Sequence, residues 1–425
     1  MGDWIKIKLE ELAIKMQSGG TPKSDNSSYY NGDIPFVTIE DMTSTKKYLT
    51  VTKKNITQDG LQSSSAWLVP ENTLLYSIYA TLGVPRINKM EVATNQAILN
   101  IIPNLNKVDL EFLYYLLDFK RGSILEHSAH TTQSNLNAKI VKNLEFVIPE
   151  AIEEQKEIAG VLRSIDKSIT LSSQLIEKYN RIKDGLLQEL LTKGIDDKGN
   201  IRSELTHEFK ESPIGIIPKE WGVLPSSQLT KEIKVGIVVK PSQYYVEDGI
   251  PMLRSFNVKE TGIELTNLVY MSREDNARNS KSILRTGDIV SVRTGNPGVS
   301  AIVTEKLDGI NCIDLVITKP DLNKMIPEFL VTWINSKGGK SQILKYQGGI
   351  AQQHFNVGDM KELLVPKMSI EEQIRIVESM KSIRARIKEE QIRNDKLKRI
   401  KKGLMQDLLT GKIHVNELSK KGVAL

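Results

Sequence analysis

Between residues 158 and 190 the chain returns to one side of a helix at alternating steps of four and three: Ile158, Leu162, Ile165, Ile169, Ser172, Ile176, Tyr179, Lys183, Leu186 and Leu190. A second run has the same rhythm, through Ile376, Met380, Ile383, Ile387, Glu390, Asn394, Leu397, Lys401, Leu404 and Leu408. This spacing is the seam of a coiled coil, and it predicts two helices of about 40 residues, each about 60 Å long. The polar positions within each seam specify register and partner at some cost in stability. A strand-like run ending in proline precedes each helix, Leu144 to Pro149 and Leu363 to Pro366, and the proline stops the strand.

The two helices are copies. Residues 153–195 match 371–413 at a constant offset of 218 without a gap: Glu153-Glu154-Gln155 recurs as Glu371-Glu372-Gln373, and Gly185-Leu186-Leu187-Gln188 recurs as Gly403-Leu404-Met405-Gln406. The segments before them repeat more faintly. Trp4 aligns with Trp221, Asp33-Ile34-Pro35 with Gly249-Ile250-Pro251, Phe112-Leu113 with Phe329-Leu330, and residues 133–137 with 352–356, at offsets of 216 to 219. Loops absorb such drift, whereas a helix cannot without rotating its seam.

Short β-type runs punctuated by Gly, Pro and Asn fill both segments, among them Ile34 to Ile39, Thr73 to Tyr79, Ile98 to Ile102, Ile289 to Arg293 and Val299 to Thr304. Helices are expected at Asp109 to Phe119 and Pro327 to Asn335. The expected organisation is a globular unit over 1–150, a helix over 151–195, an exposed linker over 196–220, a second unit over 221–366, a second helix over 367–415 and a tail over 416–425. The fold class is α+β: two mixed α/β domains joined by two long antiparallel coiled-coil helices, with a pseudo-two-fold internal repeat. Two unrelated amphipathic helices packing on separate domains are the alternative.

Length agrees, since 425 residues exceed one hydrophobic core. Cys312 is the single cysteine, so neither an internal disulfide nor a multi-thiolate metal site is available. The start, Met1 to Lys6, has no apolar leader run, and no apolar stretch reaches about 18 residues, which places the expected protein in the cytoplasm with no membrane partner.

The net charge of +6 invites a nucleic-acid reading, but its distribution qualifies it. Residues 1–150 carry −1, 151–220 carry −2, 221–366 carry +2 and 367–425 carry +7. The basic excess sits on the second helix, where it equally suits a solvated face and the helix dipole. Globular parts that bind DNA would do so through local patches, which favours sequence reading over indiscriminate phosphate binding.

Catalytic signatures are weak. Gly338-Gly339-Lys340-Ser341 resembles the end of a phosphate-binding loop, yet the first glycine of that motif would fall at Ile334, inside an expected helix. Asp321, Asp359 and Lys361 match a permissive nuclease pattern that long chains carry by chance. His127 and His130 lack a partnering carboxylate motif, and there is no dinucleotide fingerprint, nucleophile elbow or Asn-Pro-Pro-aromatic motif.

A duplicated unit of globular half plus long helix suggests a bivalent binder whose helices set a spacing. Two readers held apart on one face of B-DNA, which repeats every 34 to 36 Å or so, would contact unlike half-sites and gain avidity from their linkage. The order of segments resembles the specificity subunit of type I restriction-modification enzymes over the whole chain. The resemblance rests on the Glu-Glu-Gln helix starts, the Gly-Leu-Leu-Gln-Glu-Leu-Leu-Thr ending, Glu220-Trp221-Gly222, Ser18-Gly19-Gly20-Thr21-Pro22, Gly32 to Val37, Ala93 to Ala97 and Gly287 to Val290.

The resemblance implies two target-recognition domains reading a bipartite DNA site and no catalysis in this chain. It implies as partners double-stranded DNA, two modification subunits bearing an adenine methyltransferase, and motor-endonuclease restriction subunits. S-adenosylmethionine, ATP and magnesium would belong to those partners, and no cofactor to this chain. Cys312 and Asp314 are expected where the first half has Gln96 and Ile98, so the two domains should read different bases.

For DNA contact the expected loop residues are Arg254, Asn257, Arg293, Asn296, Gln352, Gln353 and His354 in the second half, and Thr38, Asp41, Ser77, Gln133 and Asn135 in the first. Arginine suits guanine, and Asn or Gln suits adenine; each could instead satisfy a loop backbone. For partner docking the expected residues are Leu186, Leu190, Leu404 and Leu408, with burial in the seam as the alternative. A structural adaptor joining two protein partners and a nuclease built on Asp321, Asp359 and Lys361 remain as other function classes.

Overall fold

The computed structural model describes residues 3–129, 137–238, 240–346 and 354–415. The chain forms two compact units, residues 1–174 with 391–425, and residues 175–390. The division differs from the expected one, because neither long helix is a domain of its own. Each unit takes half of each helix into its own core.

In the first unit the strands are β1 (Trp4–Lys8), β2 (Ala13–Ser18), β3 (Tyr30–Val37), β4 (Tyr48–Leu49), β5 (Lys54–Ile56), β6 (Leu74–Ser77), β7 (Pro85–Asn88), β8 (Ala93–Thr94), β9 (Ile98–Pro103) and β10 (Glu145–Pro149). The helices are α1 (Ile39–Ser44), α2 (Gln58–Gln62), α3 (Leu110–Ala129), α4 (Ala138–Lys142) and α5 (Ile152–Thr192). Three sheets result, with strand orders β2-β9-β6-β7-β4, β5-β3-β8 and β1-β10.

The second unit begins with a hairpin of β11 (Phe209–Lys210) and β12 (Ile217–Pro218). It continues with β13 (Gly222–Pro225), β14 (Thr230–Val235), β15 (Ile250–Leu253), β16 (Val258–Lys259), β17 (Gly262–Ile263), β18 (Val269–Met271), β19 (Ile289–Val292), β20 (Ser300–Ile302), β21 (Asn311–Cys312), β22 (Leu315–Pro320) and β23 (Leu364–Lys367). Its helices are α6 (Arg273–Arg278), α7 (Pro327–Ile334), α8 (Lys337–Tyr346), α9 (Val357–Glu362) and α10 (Ile370–Leu408). The orders β14-β22-β19-β20, β18-β15-β21 and β13-β23 reproduce those of the first unit except for the edge strand β4, so the faint repeat is one topology used twice. The phosphate-loop lookalike at 338–341 lies inside α8.

Packing explains the shared helices. In the first unit Phe112, Leu113 and Leu116 of α3 share a core with Ile158 and Leu162 of α5 and with Leu408 of α10. In the second, Phe329, Leu330 and Trp333 of α7 pack with Ile376 and Met380 of α10 and with Leu190 and Leu191 of α5. Burying one such Leu or Phe contributes about 1.5–3 kcal/mol, more than helix propensity supplies anywhere in these segments. Within the first unit the helices run antiparallel: Asn394 donates to the Ile169 carbonyl and to Ser173 Oγ, both at 3.1 Å, and Lys401 pairs with Asp166 at 2.8 Å. The seam asparagine is thereby satisfied and ties the register.

The repeated Glu-Glu-Gln has a structural role. Gln155 is fully buried; its Oε1 accepts from the Asp109 N–H at 2.8 Å and its Nε2 donates to the Lys107 and Pro149 carbonyls at 3.2 and 2.8 Å. Gln373, equally buried, accepts from the Ile326 N–H at 3.0 Å and donates to the Lys324 and Met368 carbonyls at 3.0 and 3.3 Å. One side chain thus clamps the start of each seam helix to the loop before α3 or α7.

Glu372, beside it, is 4% exposed and accepts from the Trp221 Nε1 (3.2 Å) and the Ile195 N–H (3.0 Å) and from both terminal nitrogens of Arg202. Arg202 is itself buried and pins the segment after α5 at that point, while most of residues 196–220 are exposed, as expected from their Gly, Asn and Asp content. A buried carboxylate needs a paired cation, and residue 202 supplies it.

Candidate nucleic-acid interface

Three loops of each unit come together at equivalent ends of their sheets. The first follows β3 or β15. Thr38 caps α1, with its N–H and Oγ1 both donating to Asp41 Oδ2 at 2.8 Å, and the Lys53 N–H donates to Asp41 Oδ1 at 2.9 Å. In the second unit Asn257 Oδ1 accepts from the Arg254 N–H at 3.0 Å, while its Nδ2 donates to the Glu264 and Thr266 carbonyls at 3.0 and 2.9 Å. Asp41 is 2% exposed and Asn257 fully buried, so both hold their loops and neither is presented to a ligand. Arg254 and Thr38 are the accessible members of these pairs.

The second loop joins β6 to β7, or β19 to β20. In one, the Ser77 N–H donates to the Val84 carbonyl (3.1 Å) and the Gly83 N–H to the Ser77 carbonyl (2.8 Å); in the other, Val292 and Val299, and Gly298 and Val292, do the same at 2.8 and 2.9 Å. Left-handed backbone falls at Ala80 and Gly83 in the first and at Gly295 and Gly298 in the second. The loops therefore superpose with Ser77 on Val292 and Ile78 on Arg293. Ser77 is fully buried, and its hydroxyl accepts from the Val84 N–H at 2.8 Å, which makes it a loop closure.

The third loop links β8 to β9, or β21 to β22. Val37 pairs with Thr94 and Leu253 with Cys312, so Cys312 matches Thr94 rather than Gln96. Asp314 and Gln96 instead share the short connection to the next strand, which corrects the expected match of Asp314 to Ile98. The Cys312 thiol is fully buried behind this loop, and burial pushes its pKa up.

A groove opens beside the third loop in each unit. In the second unit it holds about 330 Å³ between Arg254, Ser255, Phe256, Asn267, Ile313 and Asp314. Asp314 adopts left-handed backbone (φ 51°) and forms an ion pair with Arg293. Thr294 Oγ1 donates to Asp314 Oδ2 at 3.4 Å and lies 2.9 Å from His354 Nδ1. The Phe355 N–H donates to the Arg293 carbonyl at 2.9 Å, which brings the α9 approach alongside. Asn296 is exposed on the same loop. Sequence-expected Arg254, Arg293 and His354 are thus assembled around Asp314.

In the first unit the groove holds about 440 Å³ between Ser18, Ile78, Tyr79, Gln96, Ala97 and Ala138. Gln96 Oε1 accepts from Thr21 Oγ1. Gln133, Asn135, Gln352 and Gln353 lie outside the described residues.

Sequence reasoning missed Tyr79, Gln96, Phe256, Asn267 and Thr294. Aligning the halves on Gly83-Val84 and Gly298-Val299, the loop closures, would have found the second-loop members.

The four leucines expected to dock partners are used internally. Leu190 and Leu408 are 1% and 0% exposed in the two cores, and Leu186 and Leu404 pack against those cores. What faces outward nearby is Ile182 (45% exposed) and, at the equivalent position, Ile400 (41%). Of the nuclease candidates, the Asp359 carboxylate caps α9 by accepting from the Asn356 N–H at 2.8 Å, and Asp321 pairs with Lys324 at 3.6 Å. Among the described residues no three His, Cys, Asp or Glu side chains gather to hold a metal ion, and no helix is long and apolar enough to cross a membrane.

Comparison with known proteins agrees with the duplicated architecture. The family model described as type I restriction modification DNA specificity domain matches residues 1–181. The MjaVIII type I restriction enzyme specificity subunit of Methanocaldococcus jannaschii is 25% identical over 98% of this chain and 94% of its own length. The EcoBI specificity subunit of Escherichia coli is 23% identical over 89% and 79%. Among solved structures, a chain from work on complex assembly and conformational transition of the type I R-M system covers 97% of this chain and 98% of its own, with TM-score 0.62 at 15% identity. The S subunit of a type I restriction-modification system from M. genitalium covers 96% of each chain, with TM-score 0.55 at 14% identity. Both halves of the chain carry the same loop framework, and the chain is similar over nearly its whole length to specificity subunits of type I restriction-modification enzymes.

Proposed function

We propose that this chain reads an asymmetric, bipartite DNA sequence, one half-site per unit, and thereby directs adenine methylation and restriction by partner subunits. The observation that carries this reading is the pair of grooves. Each opens beside the third loop, the first between it and the β6–β7 loop and the second between it and the loop after β15, and one presents Gln96 and Tyr79 and the other Arg254, Asp314 and Phe256. One framework with unlike hydrogen-bonding groups reads unlike base edges in the major groove.

Two modification subunits and motor-endonuclease subunits are the proposed protein partners, and S-adenosylmethionine, ATP and magnesium act in them. Docking is assigned to the outward faces of the helix segments around Leu186 and Leu404, where Ile182 and Ile400 repeat an exposed apolar side chain. The test is the N6-methyladenine map of the source genome with and without this gene. Loss of one split, asymmetric methylated motif is the expected result. An unchanged map in a strain whose modification subunit is expressed would overturn the proposal and favour an adaptor role.

A further inference from the structure

In the second unit a charged pair, Arg293 with Asp314, reaches the groove through its carboxylate, whereas no charged side chain lines the groove of the first. Arg293 leaves the β19–β20 loop with its guanidinium bound to Asp314, and its Nε is buried without a hydrogen-bond partner. Asp314 has little freedom of its own. Its backbone is left-handed, its N–H donates to the Ile237 carbonyl at 3.0 Å, and its second carboxylate oxygen accepts from Thr294 Oγ1. The carboxylate lines the groove beside Arg254, so the Arg293 guanidinium bound to it adjoins the space a base edge would enter.

We propose that Arg293 reads a guanine in the half-site of the second unit and that Asp314 is the positioning residue that makes this reading possible. The inference rests on the DNA-reading function proposed above. An unrestrained arginine swings between phosphates and bases and discriminates poorly. A guanidinium fixed by one carboxylate keeps further N–H donors in a plane, the arrangement that meets guanine O6 and N7 together. Asp314 also places a negative charge at the groove wall, which disfavours a phosphate there and leaves the base edge as the partner for Arg293. The first unit cannot do this. Ile78 stands in the place of Arg293, and Gln96, on the same connection as Asp314, is bonded to Thr21. The two half-sites should therefore differ at the position this loop addresses.

The experiment is selection of binding sites from random duplex DNA by the full chain in complex with its modification subunits. Wild type is compared with Asp314→Asn, which keeps the shape and suits left-handed backbone, and with Arg293→Lys, which keeps the charge but loses the fork; circular dichroism and the melting temperature check folding. Wild type is expected to require a G·C pair at one position of one half-site. Both variants should relax that position by at least about tenfold, equivalent to about 1.4 kcal/mol, with every other position and the dependence of affinity on salt unchanged. A uniform loss of affinity with intact preferences in either variant would make Arg293 a phosphate contact and overturn the inference while leaving bipartite recognition standing. If wild type selects no sequence, the DNA-reading function itself fails, and this inference with it.

Discussion

Replacing Gln373 by alanine should unfold the second unit at markedly lower denaturant while leaving the first unit almost untouched. The side chain is fully buried and makes three hydrogen bonds to main chain, one accepted from Ile326 and two donated to Lys324 and Met368. Alanine removes all three and leaves a peptide N–H and two carbonyls facing a cavity too small to hydrate them fully. A buried polar group deprived of its partner costs about 1–3 kcal/mol. The carbonyls retain a second lone pair, so the N–H dominates, and a total of about 2–4 kcal/mol follows. Because the clamp joins the first turn of α10 to the loop before α7, the loss falls on the core around Ile376, Met380, Phe329 and Trp333.

The assay is urea unfolding followed by hydrogen exchange resolved by peptide, which reports each unit separately where a single two-state fit would not. Gln155→Ala is the internal control: the same chemistry in the other unit should transfer the damage to peptides around Phe112 and Ile158. A shift below about 0.5 kcal/mol for both variants would refute the view that the repeated Glu-Glu-Gln is kept as a helix clamp.

Acid should weaken the first unit through Glu111. Burial acts to raise its pKa, but the Tyr48 hydroxyl and the charges of Lys47 and Arg163 outweigh burial and hold it below the ordinary value. A depressed folded-state pKa contributes stability above the unfolded value of about 4.3 that disappears as pH falls through the folded value. The melting temperature should therefore drop more steeply between about pH 5 and 3 for wild type than for Glu111→Gln; equal slopes would refute the assignment. Helix length offers the other test. Deleting one heptad from both α5 and α10 keeps the seam in register and shortens each by about 10 Å. The methylated site should then lose about three base pairs of spacer while both half-sites persist, and an altered half-site would refute the ruler reading.

Much of the architecture was legible in the chain. The seam from Ile158 to Leu190 and its copy from Ile376 to Leu408 lie on single continuous helices, because a period near 3.5 leaves few other ways to bury those residues. The constant offset of 218 announced the duplication, and Pro149 and Pro366 ended the preceding strands close to where expected. Loop chemistry was half legible. Arg254, Arg293 and His354 were singled out by side-chain type and were indeed brought together, while Asp41, Ser77 and Asn257, chosen on the same grounds, are buried loop closures.

Sequence by itself determined the repeat, the helices and the presence of two units, all of which depend on local periodicity or on similarity along the chain. Tertiary structure alone decided which polar side chains face a groove, that Asp314 and Gln96 lie on equivalent connections, and that Leu190 and Leu408 belong to cores. The reason is that an Asn, Asp or Ser in a loop can bond to its own backbone or point outward with similar energy. Strands that meet across the fold settle that choice, and a one-residue shift in a loop moves a side chain from the groove into the core.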